Sequence, residues 1–173
     1  TKLLIQLIDF LAIKRRPERA AFIRRFLRIT PELMTATGAP DEETAREVLV
    51  TKSDDELETL LDPREWESLS RGFRERVTDV HKPHIAELPQ TLPALFADAA
   101  ARAEAAGFDG IELHYAHAYT MASFLSARNT RADGYGGAKE NRVRLPLEVY
   151  RAVKERVSPH VAVGCRMLAD ECI

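Results

Sequence analysis

The chain has 173 residues, 45% apolar and 30% charged, with a net charge of −2. That is enough for one ordinary soluble domain, and the near-zero charge excludes the strong electrostatic pull of a nucleic-acid or anionic-membrane binder. No apolar run approaches the ~20 residues a membrane span needs, and no leader pattern is visible. Cys165 and Cys172 form no CxxC pair, which argues against a disulfide framework or structural zinc and for a reducing, cytoplasmic setting. The chain opens directly in an apolar run and stops just after another. Domains usually begin and end in exposed polar segments, so an internal piece of a longer protein is expected.

Residues 3–8 read as a short buried strand interrupted only by Gln6. A polar side chain there either satisfies a neighbouring backbone group or points at a polar ligand. The next stretch, about 14–80, is highly charged and reads as several short helices forming an insertion or lid. Phe22, Phe26 and Ile29 recur at helical spacing. Ser53 with Glu56 forms a capping box, and Asp62 caps a helix that starts on Pro63.

From about residue 81 the chain alternates helix and strand. Leu92, Leu95, Phe96, Ala99, Ala100 and Ala103 fall on one face of a helix over 92–106, stopped by Gly107. A strand over 108–115 follows, then a long polar loop, a helix over about 144–157 with Pro146 in its first turn, and a strand over 160–167. This alternation implies parallel strands with helical crossovers, an α/β fold. Ligands bind at the carboxyl ends of strands in such folds, which is where the chain's polar chemistry begins.

His114, His117 and Tyr119 lie within six residues of each other. The two histidines share a pocket only if the strand ends and the chain turns between them. Three readings are open. The imidazoles donate hydrogen bonds to a substrate oxygen while Tyr119 supplies a proton. Alternatively they join His81 and His84 as metal ligands, an uncommon set, or they satisfy loop carbonyls. The segment NTRADGYGG reads as a loop with special backbone needs at Gly134, Gly136 and Gly137, braced by an Arg131–Asp133 pair. Arg166 interrupts an apolar strand, where a buried guanidinium needs a partner or an anionic ligand. With Gln6 it could flank a flat heterocycle along one edge.

The segment AGFDGIELHYAHAYTMASFLSARNTRADGYGGAKENRVRLPLEV, over forty residues long, resembles the signature of the Old Yellow Enzyme family of FMN-dependent NAD(P)H:flavin oxidoreductases and ene-reductases. The resemblance implies a (β/α)8 TIM barrel of which only an internal part is present, with FMN at its mouth. By position, Gln6 would bind the flavin pyrimidine edge and Arg166 would sit beside N1 and O2. His114 and His117 would hold the oxygen of the substrate's activating group, and Tyr119 would protonate the carbon α to it. The implied reaction passes hydride from NAD(P)H via FMN to an activated C=C bond of an enone or an enoyl or dienoyl thioester. Longer relatives carry an iron–sulfur cluster in a part of the chain not present here. The implied partner is a small-molecule substrate, with neither nucleic acid nor membrane; a homo-oligomer stays open, and no metal site is assigned.

Three departures stand out. After the first strand the family often reads QLxHxGR, whereas this chain reads Gln6-Leu7-Ile8-Asp9-Phe10-Leu11. The glycine of AHGY is Ala118, a mild change unless positive φ is required. Ser-Pro is Ser126-Ala127. These losses keep a second reading open, a catalytically silent barrel fragment serving as a binding or scaffold module. A piece with so few strands is expected to fold poorly alone, because its sheet edges are open.

Overall fold

The computed structural model describes residues 1–14 and 17–171. In chain order the elements are β1 (Leu4–Leu7), α1 (Arg19–Arg25), α2 (Pro31–Thr37), α3 (Glu42–Thr51), α4 (Asp54–Leu60), α5 (Pro63–Arg71), α6 (Pro83–Ala86), α7 (Leu88–Ala105), β2 (Gly110–Tyr115), α8 (Thr120–Leu125), α9 (Lys139–Arg142), α10 (Arg144–Arg156) and β3 (Ala162–Met167). The chain divides into two compact units, one of Thr1–Leu11 with Arg76–Ile173 and one of Ala12–Glu75.

The first unit holds a parallel sheet in the order β1-β2-β3. Ile111, Leu113 and Tyr115 point to one face of β2 and pack with Leu92, Phe96 and Ala100 of α7 and Leu145, Val149 and Val153 of α10. Ile5, Leu7 and Val163 of the flanking strands join them. Burying each such aliphatic or aromatic side chain contributes roughly 1.5–3 kcal/mol, so this face anchors the sheet. Strand alternation then puts Gly110, Glu112 and His114 on the opposite face.

Helix α7 begins at Leu88, four residues earlier than its apolar spacing predicts. Pro89 falls within the first turn, and Pro93 lies inside the helix. The missing N–H of Pro93 spares only a first-turn carbonyl, so the helix tolerates it. Its C-terminus is a Schellman motif: Gly107 takes φ 88°, its N–H donates to the Glu104 carbonyl (2.9 Å), and the Phe108 N–H donates to the Ala103 carbonyl (3.1 Å). Pro146 sits in the first turn of α10, as expected. The polar stretch after β2, expected to be loop, contains two short helices, α8 and α9.

The second unit is helical, around Phe22, Ile23, Leu27, Leu33, Leu49, Leu57, Leu61 and Leu69. The Ser53–Glu56 capping box forms, and Asp62 caps α5 at the Arg64 N–H with Pro63 in the first turn. Helix α5 stops at Arg71 because Gly72 takes φ 99°. One of the expected helices, α1, is shorter than the sequence spacing predicts. Helix α1 stops at Arg25, so Phe26 leaves the helical face; it is 64% exposed and borders a cavity of about 390 Å³ with Phe22 and Phe73. Among the described residues, no helix is long and apolar enough to cross a membrane.

Candidate active site

The register of the sheet lays out the polar face row by row. Gln6 on β1 is opposite Glu112 on β2, which is opposite Gly164 on β3. One row further toward the carboxyl ends, His114 is opposite Arg166. Gln6 Nε2 donates a hydrogen bond to Glu112 Oε2. Sequence reasoning missed Glu112, although its position two residues before His114 in a strand puts both on one face.

Beyond β2 the chain turns sharply. His117 and Ala118 both take positive φ, 57° and 55°, a left-handed conformation that costs a residue with a Cβ roughly 1–2 kcal/mol. The turn is fixed by the Tyr119 N–H donating to the Ala116 carbonyl (3.2 Å) and the Thr120 N–H donating to the Asp9 carbonyl (3.2 Å). Its consequence is convergence. The His114 and His117 rings lie 4.9 Å apart between centroids, and Tyr119 lies 5.4 Å from His114 and 6.3 Å from His117. Phe10 closes against Tyr119 at 5.8 Å. The structure therefore brings the two histidines and the tyrosine together at the end of β2.

His114 is 2% exposed, and neither ring nitrogen has a hydrogen-bond partner. The reading in which it satisfies a loop carbonyl is thereby overturned. Burial holds its pKa below the ordinary imidazole range, the charges of His117 and Arg166 lower it further, and Glu112 opposes them. A neutral imidazole carries one N–H donor and one acceptor, and a buried ring with both idle is rare in a finished site. Among the described residues, nothing covers the Arg166 side chain, which is exposed.

Among the described residues, no three His, Cys, Asp or Glu side chains could hold a metal ion together. His81 and His84 therefore do not complete a four-histidine site. Cys165 is a free, exposed thiol, and Cys172 lies outside the described residues.

The NTRADGYGG loop is a brace, more extensively tied than its sequence implied. The Arg131 side chain is fully buried. Its Nε donates to the Asp133 carboxylate, Nη1 donates to the Val77 (2.8 Å) and Ile85 (3.0 Å) carbonyls, and Nη2 donates to the Ala86 carbonyl (3.1 Å). Asn129 Nδ2 donates to the Phe124 and Tyr135 carbonyls. Gly134 and Gly137 take positive φ. Gly136 has a different reason to be glycine: a Cβ there would lie 2.5 Å from the Arg131 nitrogen and 2.7 Å from Asn129 Oδ1.

The model of the NADH:flavin oxidoreductase / NADH oxidase family matches residues 53–173, well over half of the chain. The chain belongs to that family. It is 51% identical over 79 residues to an NADH oxidase of Thermoanaerobacter brockii, covering 45% of this chain and 12% of that one. It is 45% identical over 82 residues to 12-oxophytodienoate reductase 1 of Oryza sativa subsp. japonica, covering 47% of this chain and 21% of that one. A structure of morphinone reductase in complex with tetrahydroNAD matches at a TM-score of 0.41 and 41% identity, over 46% of this chain and 22% of that one. The matched stretch is thus less than a quarter of each relative's length. Gln6 lies before the segment the family model matches.

For this flavin family the donor set fits the cofactor. The polar face carries the Gln6 amide and the exposed Arg166 guanidinium on the two strands that flank β2.

Proposed function

We propose that these residues are part of a (β/α)8 barrel whose polar face binds FMN, and that the protein passes reducing equivalents from NAD(P)H to an activated C=C bond of an enone or an enoyl or dienoyl thioester. The observation that carries this reading is the buried His114 ring with both nitrogens idle, clustered with His117 and Tyr119. Family membership supports it independently.

FMN, when bound, supplies the hydride chemistry; the chain supplies position and polarisation. Gln6 and Arg166 would hold it, the guanidinium offering a fixed positive charge and planar donors. His114, kept neutral, donates one N–H to the oxygen of the substrate's activating group, and His117 supplies a second donor. Two donors aimed at that oxygen stabilise the negative charge that develops there. The Tyr119 hydroxyl gives the proton to the carbon α to that group.

The exposed apolar residues at the sheet's edges support barrel closure by further strands. Leu4 of β1 is 64% exposed and Met167 of β3 is 59% exposed, and open parallel edges of this kind are normally paired or covered.

The test is NAD(P)H oxidation by the full-length protein under nitrogen, with enones and enoyl thioesters as acceptors. Acceptor-dependent oxidation that falls by at least about a hundredfold in a His114→Ala, His117→Ala double variant supports the reading. Oxidation indifferent to both histidines contradicts it.

A further inference from the structure

Glu112 is the charged residue on this face with no role in the reading above. Its side chain is partly buried, and among the described residues it forms no ion pair. Its hydrogen bond is the one it accepts from Gln6 Nε2. The row it occupies is otherwise simple: Gln6 on one side, Gly164 on the other. A Cβ added at Gly164 would meet nothing within 4 Å, so β3 leaves Glu112 unobstructed on that side. The charged or titratable groups in the adjoining rows of the sheet are His114, Arg166 and Cys165; partial desolvation and then the Glu112 charge raise the pKa of the Cys165 thiol.

A half-buried carboxylate with a lone amide partner calls for a reason. A primary amide has two nearly isosteric ends, one donating and one accepting, and its environment decides which way it lies. An ionised carboxylate only accepts. Placed against Gln6, it admits the NH2 end and excludes the carbonyl end. Gln6 Oε1 is thereby left as an acceptor for a ligand, and the second hydrogen on Nε2 remains as an adjacent donor. A charged acceptor also makes the stronger kind of hydrogen bond, so the amide is held before any ligand arrives.

We propose that Glu112 is a positioning residue for the cofactor: its carboxylate locks the Gln6 amide in the one orientation that presents Oε1 to an N–H on the edge of the flavin's pyrimidine ring. This rests on the flavin-binding reading above. Glu112 itself does not touch the cofactor; it acts through Gln6, and that makes it testable. With the amide locked, no binding energy is used to select its orientation, and affinity rises by that amount.

The experiment is a double-mutant cycle on full-length apoprotein, read by the dissociation constant for FMN from quenching of flavin fluorescence, with thermal unfolding of each apoprotein as the control for folding. Glu112→Ala is expected to weaken FMN binding by about tenfold, the size of one orienting hydrogen bond. In the Gln6→Ala background the same change is expected to have less than about a twofold effect, because the group it orients is gone. Equal losses in both backgrounds, or no loss in the unaltered background, overturn the inference while leaving flavin binding intact. Failure of the unaltered protein to bind FMN overturns the flavin reading and this inference with it. If Glu112→Ala does not unfold cooperatively, Glu112→Gln carries the same test. It keeps the volume but can present either amide end, so it too should weaken binding only when Gln6 is present.

Discussion

His114 and Arg166 stand opposite each other in register on β2 and β3, and the arginine's charge is one of the causes that hold the histidine's pKa down. The pair joins a candidate cofactor contact to a candidate substrate contact on adjacent strands. Burial is the larger cause, and protonation of His114 would also place a second positive charge beside Arg166, so the site favours the neutral ring.

This has a sign that can be checked. The folded pKa of His114 lies below its ordinary value of about 6.5. The stability this contributes is complete above the unfolded value and is lost as pH falls through the folded value. Titration of the full-length protein followed by NMR should show the His114 imidazole protonating below the ordinary value of about 6.5. Arg166→Gln should move that titration upward, since it removes one of the opposing charges. His114→Gln should remove the low-titrating resonance and flatten the acid side of the stability profile.

Tyr119 is the proposed proton source. Tyr119→Phe is expected to slow reoxidation of the reduced protein by an enone by about 10²-fold or more. Reduction by NAD(P)H should be unchanged. Stopped-flow measurement of the two half-reactions separates them.

Ala118 carries a Cβ at φ 55°, where glycine is at ease. Ala118→Gly should stabilise the fold by about 1 kcal/mol, and Ala118→Val should destabilise it, both measurable by urea denaturation of the full-length protein.

Arg131 satisfies three backbone carbonyls and Asp133 from a fully buried position. Arg131→Met should cost about 3–5 kcal/mol, because it strands those acceptors and the carboxylate. Arg131→Lys should not rescue it, since an ammonium cannot reproduce the planar fork. Gly136→Ala, placing a methyl against the Arg131 backbone and Asn129, should cost about 1–3 kcal/mol. Thermal unfolding of the variants tests both.

The legible parts of the sequence were those governed by local rules. The Ser53–Glu56 box, the Asp62 cap, the Gly107 stop and the Arg131–Asp133 pair each depend on residues a few positions apart, and each formed. The convergence of His114, His117 and Tyr119 follows from the sequence only on the condition of a turn after the strand. What makes the turn is positive φ at two residues that are not glycine, which no spacing rule foretells. Glu112 went unread because its meaning depends on register: its partner Gln6 lies on another strand more than one hundred positions earlier. Arg166 lies among apolar sequence neighbours, but burial depends on what covers a strand's face, and no described residue covers its side chain.

The central claim is that this polar face holds a flavin that reacts with nicotinamide and alkene. The most direct measurement is the visible absorption spectrum of the desalted full-length protein under nitrogen, before and after NAD(P)H, then after an enone. Flavin bands that bleach with the nicotinamide and return with the enone are the predicted result. A colourless protein that takes up no added FMN would contradict the account.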